Sequence, residues 1–205
     1  MKSLLRLVLI MAVAIAPACL EIEEEVSLNK DGSGSYLMSI DMSEVMGMLQ
    51  GMMGDNEEAL DQAGMGKMDS TLQETANKLR ELDGISKVKH SVEGFRFSIG
   101  YDFSSLAVLN KAQSEGNISA LGTGLDPSMA GGAENFSLAK RTFTRAAAPM
   151  DDLMEGMDED EAGSIEMVKM FLGEASYKMT YRMPGKVKSV SNELSEIQAD
   201  GKTVV

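Results

Sequence analysis

One thiol stands out among the 205 residues, because Cys19 is the only cysteine. It follows a positive segment holding Lys2 and Arg6, an apolar run over residues 7–16, and the small-residue stretch Ala16-Pro17-Ala18. That sequence of features is the tripartite layout of a secretory leader, and its apolar run falls short of the ~20 residues that a membrane-spanning helix needs. Two processing chemistries compete at the same bond. The small residues Ala16 and Ala18 satisfy the ordinary signal peptidase, which would leave a free N-terminal thiol. The cysteine instead fits a bacterial lipobox, in which the thiol is acylated before cleavage, although Ala16 stands where leucine is usual. An exported chain with one cysteine cannot close an internal disulfide, and a free thiol is a liability there. Lipidation of Cys19 accounts for both the number and the place of the cysteine.

The expectation is a cleavable signal peptide over residues 1–18 and a lipid anchor on Cys19. The mature chain would then be tethered to the bacterial cell envelope, in the periplasm or at the cell surface, with the outer membrane preferred. Acylation would hold the first mature residue at the bilayer. With a strand starting near Leu20, almost no linker remains, and Glu21, Glu23, Glu24 and Glu25 are expected to face the headgroups.

Other chemistry is thinner. Asn29, Asp31, Ser33 and Gly34 imitate the first half of a calcium loop, but the twelfth position is Ile40, where a bidentate glutamate is required. A hairpin turn is the better reading. The acidic run from Asp158 to Glu161 with Gly163 places Lys169 at its twelfth position, which would repel the ion. It reads as a solvated run ahead of a helix N-terminus. Met46, Met48, Met52, Met53, Met65 and Met68 could offer thioethers to Cu(I). Methionine is more often an adaptable filler of cores or apolar grooves. His90 is the only histidine, and it reads as exposed on a strand. No Gly-x-Ser-x-Gly elbow, His-Glu-x-x-His pair, Cys-x-x-Cys site or phosphate-binding glycine loop occurs. Trp is absent too, which removes the aromatic platform a sugar site usually needs. No cofactor, metal site or catalytic residue is assigned, and an enzyme is not expected.

Charge narrows the partners. The formal net charge is −13, and loss of residues 1–18 takes Lys2 and Arg6 away, leaving 17 basic against 32 acidic residues. So acidic a chain repels nucleic acid, and no basic cluster with interleaved aromatics overcomes that.

The elements that would position these residues are legible from periodicity. Leu20, Ile22, Val26 and Leu28 alternate with polar residues, with Glu24 interrupting the apolar face. Residues 29–34 form a turn, and Tyr36, Met38, Ile40 and Met42 alternate after it. A weak helix follows over residues 43–54, loosened by three glycines. Leu72, Ala76, Leu79 and Leu82 share one helical face, with Asp69 or Ser70 as the cap and Gly84 after the end. A second hairpin turns at Glu93-Gly94, and Asp102 or Ser104 caps a short helix containing Leu106, Val108 and Leu109. Residues 115–135 read as a long loop, 136–145 as one strand and 165–172 as a helix. Tyr177, Met179, Tyr181 and Met183 form a further strand, and residues 202–205 a last short one. The class this predicts is α+β: an antiparallel sheet built from hairpins, with two or three helices on one face. It forms a single domain over residues 19–205, carrying a flexible Met/Gly-rich segment at 45–68.

Two stretches resemble bacterial envelope lipoproteins of the LppM-like kind. One is the opening Cys19-Leu-Glu-Ile-Glu with the Leu28-Asn29-Lys30-Asp31-Gly32-Ser33-Gly34 turn. The other is the closing Met183-Pro184-Gly185-Lys186-Val187, Ser191-Asn192 and Asp200-Gly201-Lys202-Thr203-Val204. The resemblance implies an envelope-exposed α+β module without known catalytic residues, one branch of which is associated with lipid or glycolipid binding. Relatives of that kind continue the last strand past the position of Val205, and segment 45–68 has no counterpart in them. Only Cys19 carries over, as the lipid attachment site. The function expected is a non-enzymatic envelope lipoprotein that binds a lipid or a partner protein through an apolar groove. A structural or assembly lipoprotein with no small ligand is the alternative, and a Met-rich copper binder a more distant one.

Overall fold

The computed structural model describes residues 20–53, 68–115, 136–146 and 175–205. The leader, Cys19, the acidic run, the 116–135 loop and the 165–172 helix expected from sequence lie outside these residues.

Two hairpins supply four strands: β1 (Leu20–Leu28) with β2 (Gly34–Asp41), and β3 (Ile85–Glu93) with β4 (Arg96–Phe103). Helices α1 (Ser43–Met53) and α2 (Met68–Glu81) lie between them in sequence, and α3 (Leu106–Glu115) follows. Then come β5 (Phe136–Ala139), β6 (Thr142–Arg145), β7 (Ala175–Arg182) and β8 (Thr203–Val204). Six strands form one sheet in the order β3-β4-β2-β1-β7-β8, and β5 and β6 pair only with each other. The sheet is antiparallel except at β1–β7, which run parallel with Ile22 opposite Tyr177 and Val26 opposite Tyr181. The α+β class expected from sequence is the class observed.

Local chemistry explains most boundaries. In the β1–β2 turn the Asn29 N–H donates to the Ser33 carbonyl at 2.8 Å, and Asp31 accepts from the Ser33 backbone and hydroxyl at 3.1 and 2.7 Å. The Asp31 carboxylate is thus spent on its own turn. Helix α2 already begins at Met68, so Asp69 sits inside the first turn, where negative charge suits the helix dipole. Gly84 (φ 88°) then reverses the chain, and a Cβ there would stand 2.5 Å from the Ser104 hydroxyl, so only glycine fits. The α3 cap is Ser105, whose hydroxyl accepts from the Val108 N–H at 3.3 Å, not Asp102 or Ser104.

Segment 136–145 is two strands where the sequence suggests one. Its turn at Lys140 adopts φ 57° without a glycine, leaving no sequence marker. Residues 187–190 do not extend β7 as a strand.

The alternating residues of β1, β2 and β4 place one face of the sheet against the helices. Val26, Tyr36, Ile40, Ile99 and Phe103 meet Leu72, Ala76 and Leu79 of α2, Leu109 and Ala112 of α3, and Val45 of α1 in one buried cluster. Full burial of each leucine contributes about 1.5–3 kcal/mol. The opposite face carries the polar partners of the alternation.

Candidate functional site

The inward alternation of β1 brings a charge into this core. Glu24 occupies the apolar face between Ile22 and Val26 and is 4% exposed. In a protein interior such burial costs several kcal/mol unless the charge finds partners. It finds four. Arg145, at the end of β6, places a fork on the carboxylate, with Nε 2.9 Å from Oε1 and Nη2 3.1 Å from Oε2. Tyr36 of β2 and Tyr177 of β7 donate to Oε2 at 3.4 and 3.3 Å. Tyr181 of β7 shares its proton between Oε1 at 3.4 Å and the Met179 thioether at 3.1 Å. The Tyr177 hydroxyl also accepts from Arg145 Nη2 at 3.2 Å.

These distances rank the partners. The guanidinium contacts lie within or near the charge-assisted range, whereas the phenol contacts are well beyond the 2.5–2.7 Å of a strong hydroxyl–carboxylate bond. Arg145 is therefore the chief counterion, and the phenols complete the shell.

Register explains the convergence. Val26 pairs with Tyr36 on one side and with Tyr181 on the other, and Ile22 pairs with Tyr177. Three phenols on the inward face thus surround the single carboxylate there. The fourth tyrosine joins them, since Tyr101 of β4 stacks on Tyr36 with ring centroids 5.2 Å apart and accepts from Gln113 Nε2 at 3.0 Å. All four tyrosines of the chain belong to this centre.

The β5–β6 hairpin is held over the centre by side chains. Asn110 of α3 imitates a backbone partner, donating to the Phe136 carbonyl and accepting from its N–H, both at 2.8 Å. Phe143 packs on Tyr181 at 5.5 Å. The guanidinium carbon of Arg145 lies 5.8 Å from the ring centres of both Phe136 and Tyr177, within cation–π reach.

Electrostatics fix the protonation of the phenols. Burial, followed by the neighbouring Glu24 charge, raises the Tyr36, Tyr177 and Tyr181 hydroxyls above the ordinary phenol value. Burial also raises Tyr101. For Arg145, burial opposes the charge, yet the Glu24 carboxylate together with Tyr177 and Tyr181 outweighs it and the net shift is upward. At neutral pH the phenols are donors and the guanidinium is a cation. Such a set binds and orients charge; it is poorly suited to shuttling protons near neutrality.

The outward face of the same strands is different. Glu23 pairs with Lys178 at 3.1 Å, Glu25 with Arg182 at 2.8 Å and Asp41 with Arg96 at 2.7 Å. A shallow depression of about 170 Å³ lies there, lined by Glu23, Glu25, Leu37, Ser39, Lys178 and Arg182 among others. Its charged lining does not suit an acyl chain.

The residues singled out by sequence fall as follows. Cys19 lies just outside the described residues, one position before the buried Leu20. Glu21 and Glu23 are exposed and Glu25 half-exposed, but Glu24 points inward, so four glutamates do not share one surface. The pleat corrects that expectation. His90 is half-buried on β3, not exposed. Met46 is fully buried and Met48 is 45% exposed, so these two thioethers fall on different sides of α1. Met65 lies outside the described residues. Among the described residues no group of three or more His, Cys, Asp or Glu side chains is arranged to hold a metal, and no helix is long and apolar enough to cross a membrane.

Sequence reasoning marked Glu24 as an interruption but missed its partner. Arg145 lies 121 residues away, and nothing near it in sequence announces the pairing. Comparison with protein-family models, curated proteins and solved structures gives no match to the chain.

Proposed function

We propose that the chain is an exported bacterial envelope lipoprotein, anchored through acylated Cys19, that acts as a non-enzymatic binding or assembly module. One observation carries this reading. The only cysteine follows an apolar leader and immediately precedes Leu20, which is 4% exposed in a strand lying between two others. A lipid on Cys19 would therefore join a rigid sheet with no spacer and hold the domain against its membrane. The resemblance to LppM-like envelope lipoproteins supports the same reading.

The assembly alternative gains from Met46, which is fully buried as core filler. The lipid-binding alternative rests on Met48, exposed on the apolar helix α1. Native mass spectrometry of detergent-free protein separates the two: co-purified lipid supports the groove, and a clean apo mass supports assembly.

The anchor is tested by Cys19→Ser. The variant should leave the membrane fraction and lose incorporation of radiolabelled palmitate. Unchanged membrane retention without acyl mass on the mature N-terminus would refute the reading.

A further inference from the structure

The Glu24 centre has the composition of a recognition site that is already filled. Arg145 enters it from a hairpin that shares no ladder with the six-stranded sheet among the described residues. Its guanidinium is held as a ligand would be: both carboxylate oxygens take its fork, the Tyr177 hydroxyl accepts from Nη2, and two aromatic rings flank it. What the main sheet itself contributes is a carboxylate ringed by Tyr36, Tyr177 and Tyr181. The rim is open to solvent, because Tyr177 is 44% exposed and the Arg145 side chain 25%.

The geometry selects among cations. A planar fork satisfies two carboxylate oxygens at once and stacks against rings, whereas a compact ammonium does neither as well. A purely structural bridge would need no such set, since an apolar pair of similar volume often stabilises a core equally well. We propose that the Glu24–Tyr36–Tyr177–Tyr181 pocket is a guanidinium-recognition site, that Arg145 is its in-cis occupant, and that an external guanidinium group displaces it. The site does not depend on how Cys19 is processed.

The test uses methylguanidinium as the probe, with methylammonium and urea as controls for charge shape and for neutral shape. Arg145→Gln and Arg145→Ala should bind methylguanidinium saturably, seen as a rise in melting temperature, with methylammonium weaker and urea inactive. Adding Glu24→Gln to either variant should abolish the binding. The wild type should need at least about 10-fold more probe, because a tethered side chain competes at an effective concentration in the millimolar range. At that concentration amide exchange in β5–β6 should quicken while β3–β4 stays protected. A glycine-flanked arginine peptide acting below the methylguanidinium concentration would assign the ligand to a partner protein's arginine, and equal potency would assign it to a free guanidinium compound. Absence of saturable binding in both Arg145 variants would overturn the proposal. Binding in the variants with no change in wild-type hairpin exchange would overturn it too, leaving the pair a fixed bridge. Should neither variant fold, the wild-type exchange experiment decides alone.

Discussion

Strand β1 carries carboxylates on both of its faces, and the two faces put them to different uses. Glu23 and Glu25 reach cations across the neighbouring strand in the open, with side chains 54% and 36% exposed. Glu24, one position away from either, is 4% exposed and meets a guanidinium from a separate hairpin. Residue type is the same throughout, so the pleat sets the difference. Water screens the outer pairs, whose strength is at most about 1 kcal/mol each. The inner pair has exchanged water for a defined shell, so loss of one partner strands the other.

The comparison is broken most forcefully at its inner side. Glu24→Ala should destabilise the domain by about 3–5 kcal/mol, read by chemical denaturation, because Arg145 would keep its charge without its counterion. A loss below about 1 kcal/mol would place the inner pair in the class of the outer ones. Replacing both partners by apolar residues, Glu24→Leu with Arg145→Met, should cost less than Glu24→Ala alone, since no charge is then left unpaired.

The two faces also titrate at opposite ends of the pH scale. Tyr36 and Tyr101 hold their protons in the fold above the ordinary phenol value. Their contribution is complete below about pH 10 and is lost as pH rises through the folded values, at about 1.4 kcal/mol per pH unit for each phenol. On the outer face Asp41 is held below the usual carboxylate value by hydrogen bonds from Ser43 and then by Arg96. Its contribution is present above the ordinary carboxylate value and is lost as pH falls through the folded one. Tyrosinate absorbance during an alkaline titration should therefore rise together with unfolding; ionisation of all four phenols in the intact fold would contradict the buried centre. The smallest effect belongs to Glu23→Ala, expected to cost under about 1 kcal/mol in low salt and less in high salt.

How much of this was legible follows from distance along the chain. Both hairpins could be read because alternation and turn chemistry are local: Asn29 to Gly34 and Gly94 mark their own turns. Alternation marked Glu24 as an interruption of the apolar face, yet its place in the run with Glu21, Glu23 and Glu25 also grouped it toward the headgroups, and the period of two settles its inward side. Its counterion was not legible. Arg145 sits at the end of a hairpin whose turn, at Lys140, lacks the glycine that would reveal it. The β1–β7 pairing joins residues more than 150 positions apart, as Ile22 and Tyr177 are, and a parallel register leaves no local trace. A candidate site assembled from three remote elements could be read only in halves.

A double-mutant cycle on Glu24→Gln and Arg145→Gln, set beside one on Glu23→Gln and Lys178→Gln, tests the buried centre most directly. A coupling energy of at least about 2 kcal/mol for the inner pair, against under about 1 kcal/mol for the outer one, is the expected result. Equal coupling in the two cycles would contradict it.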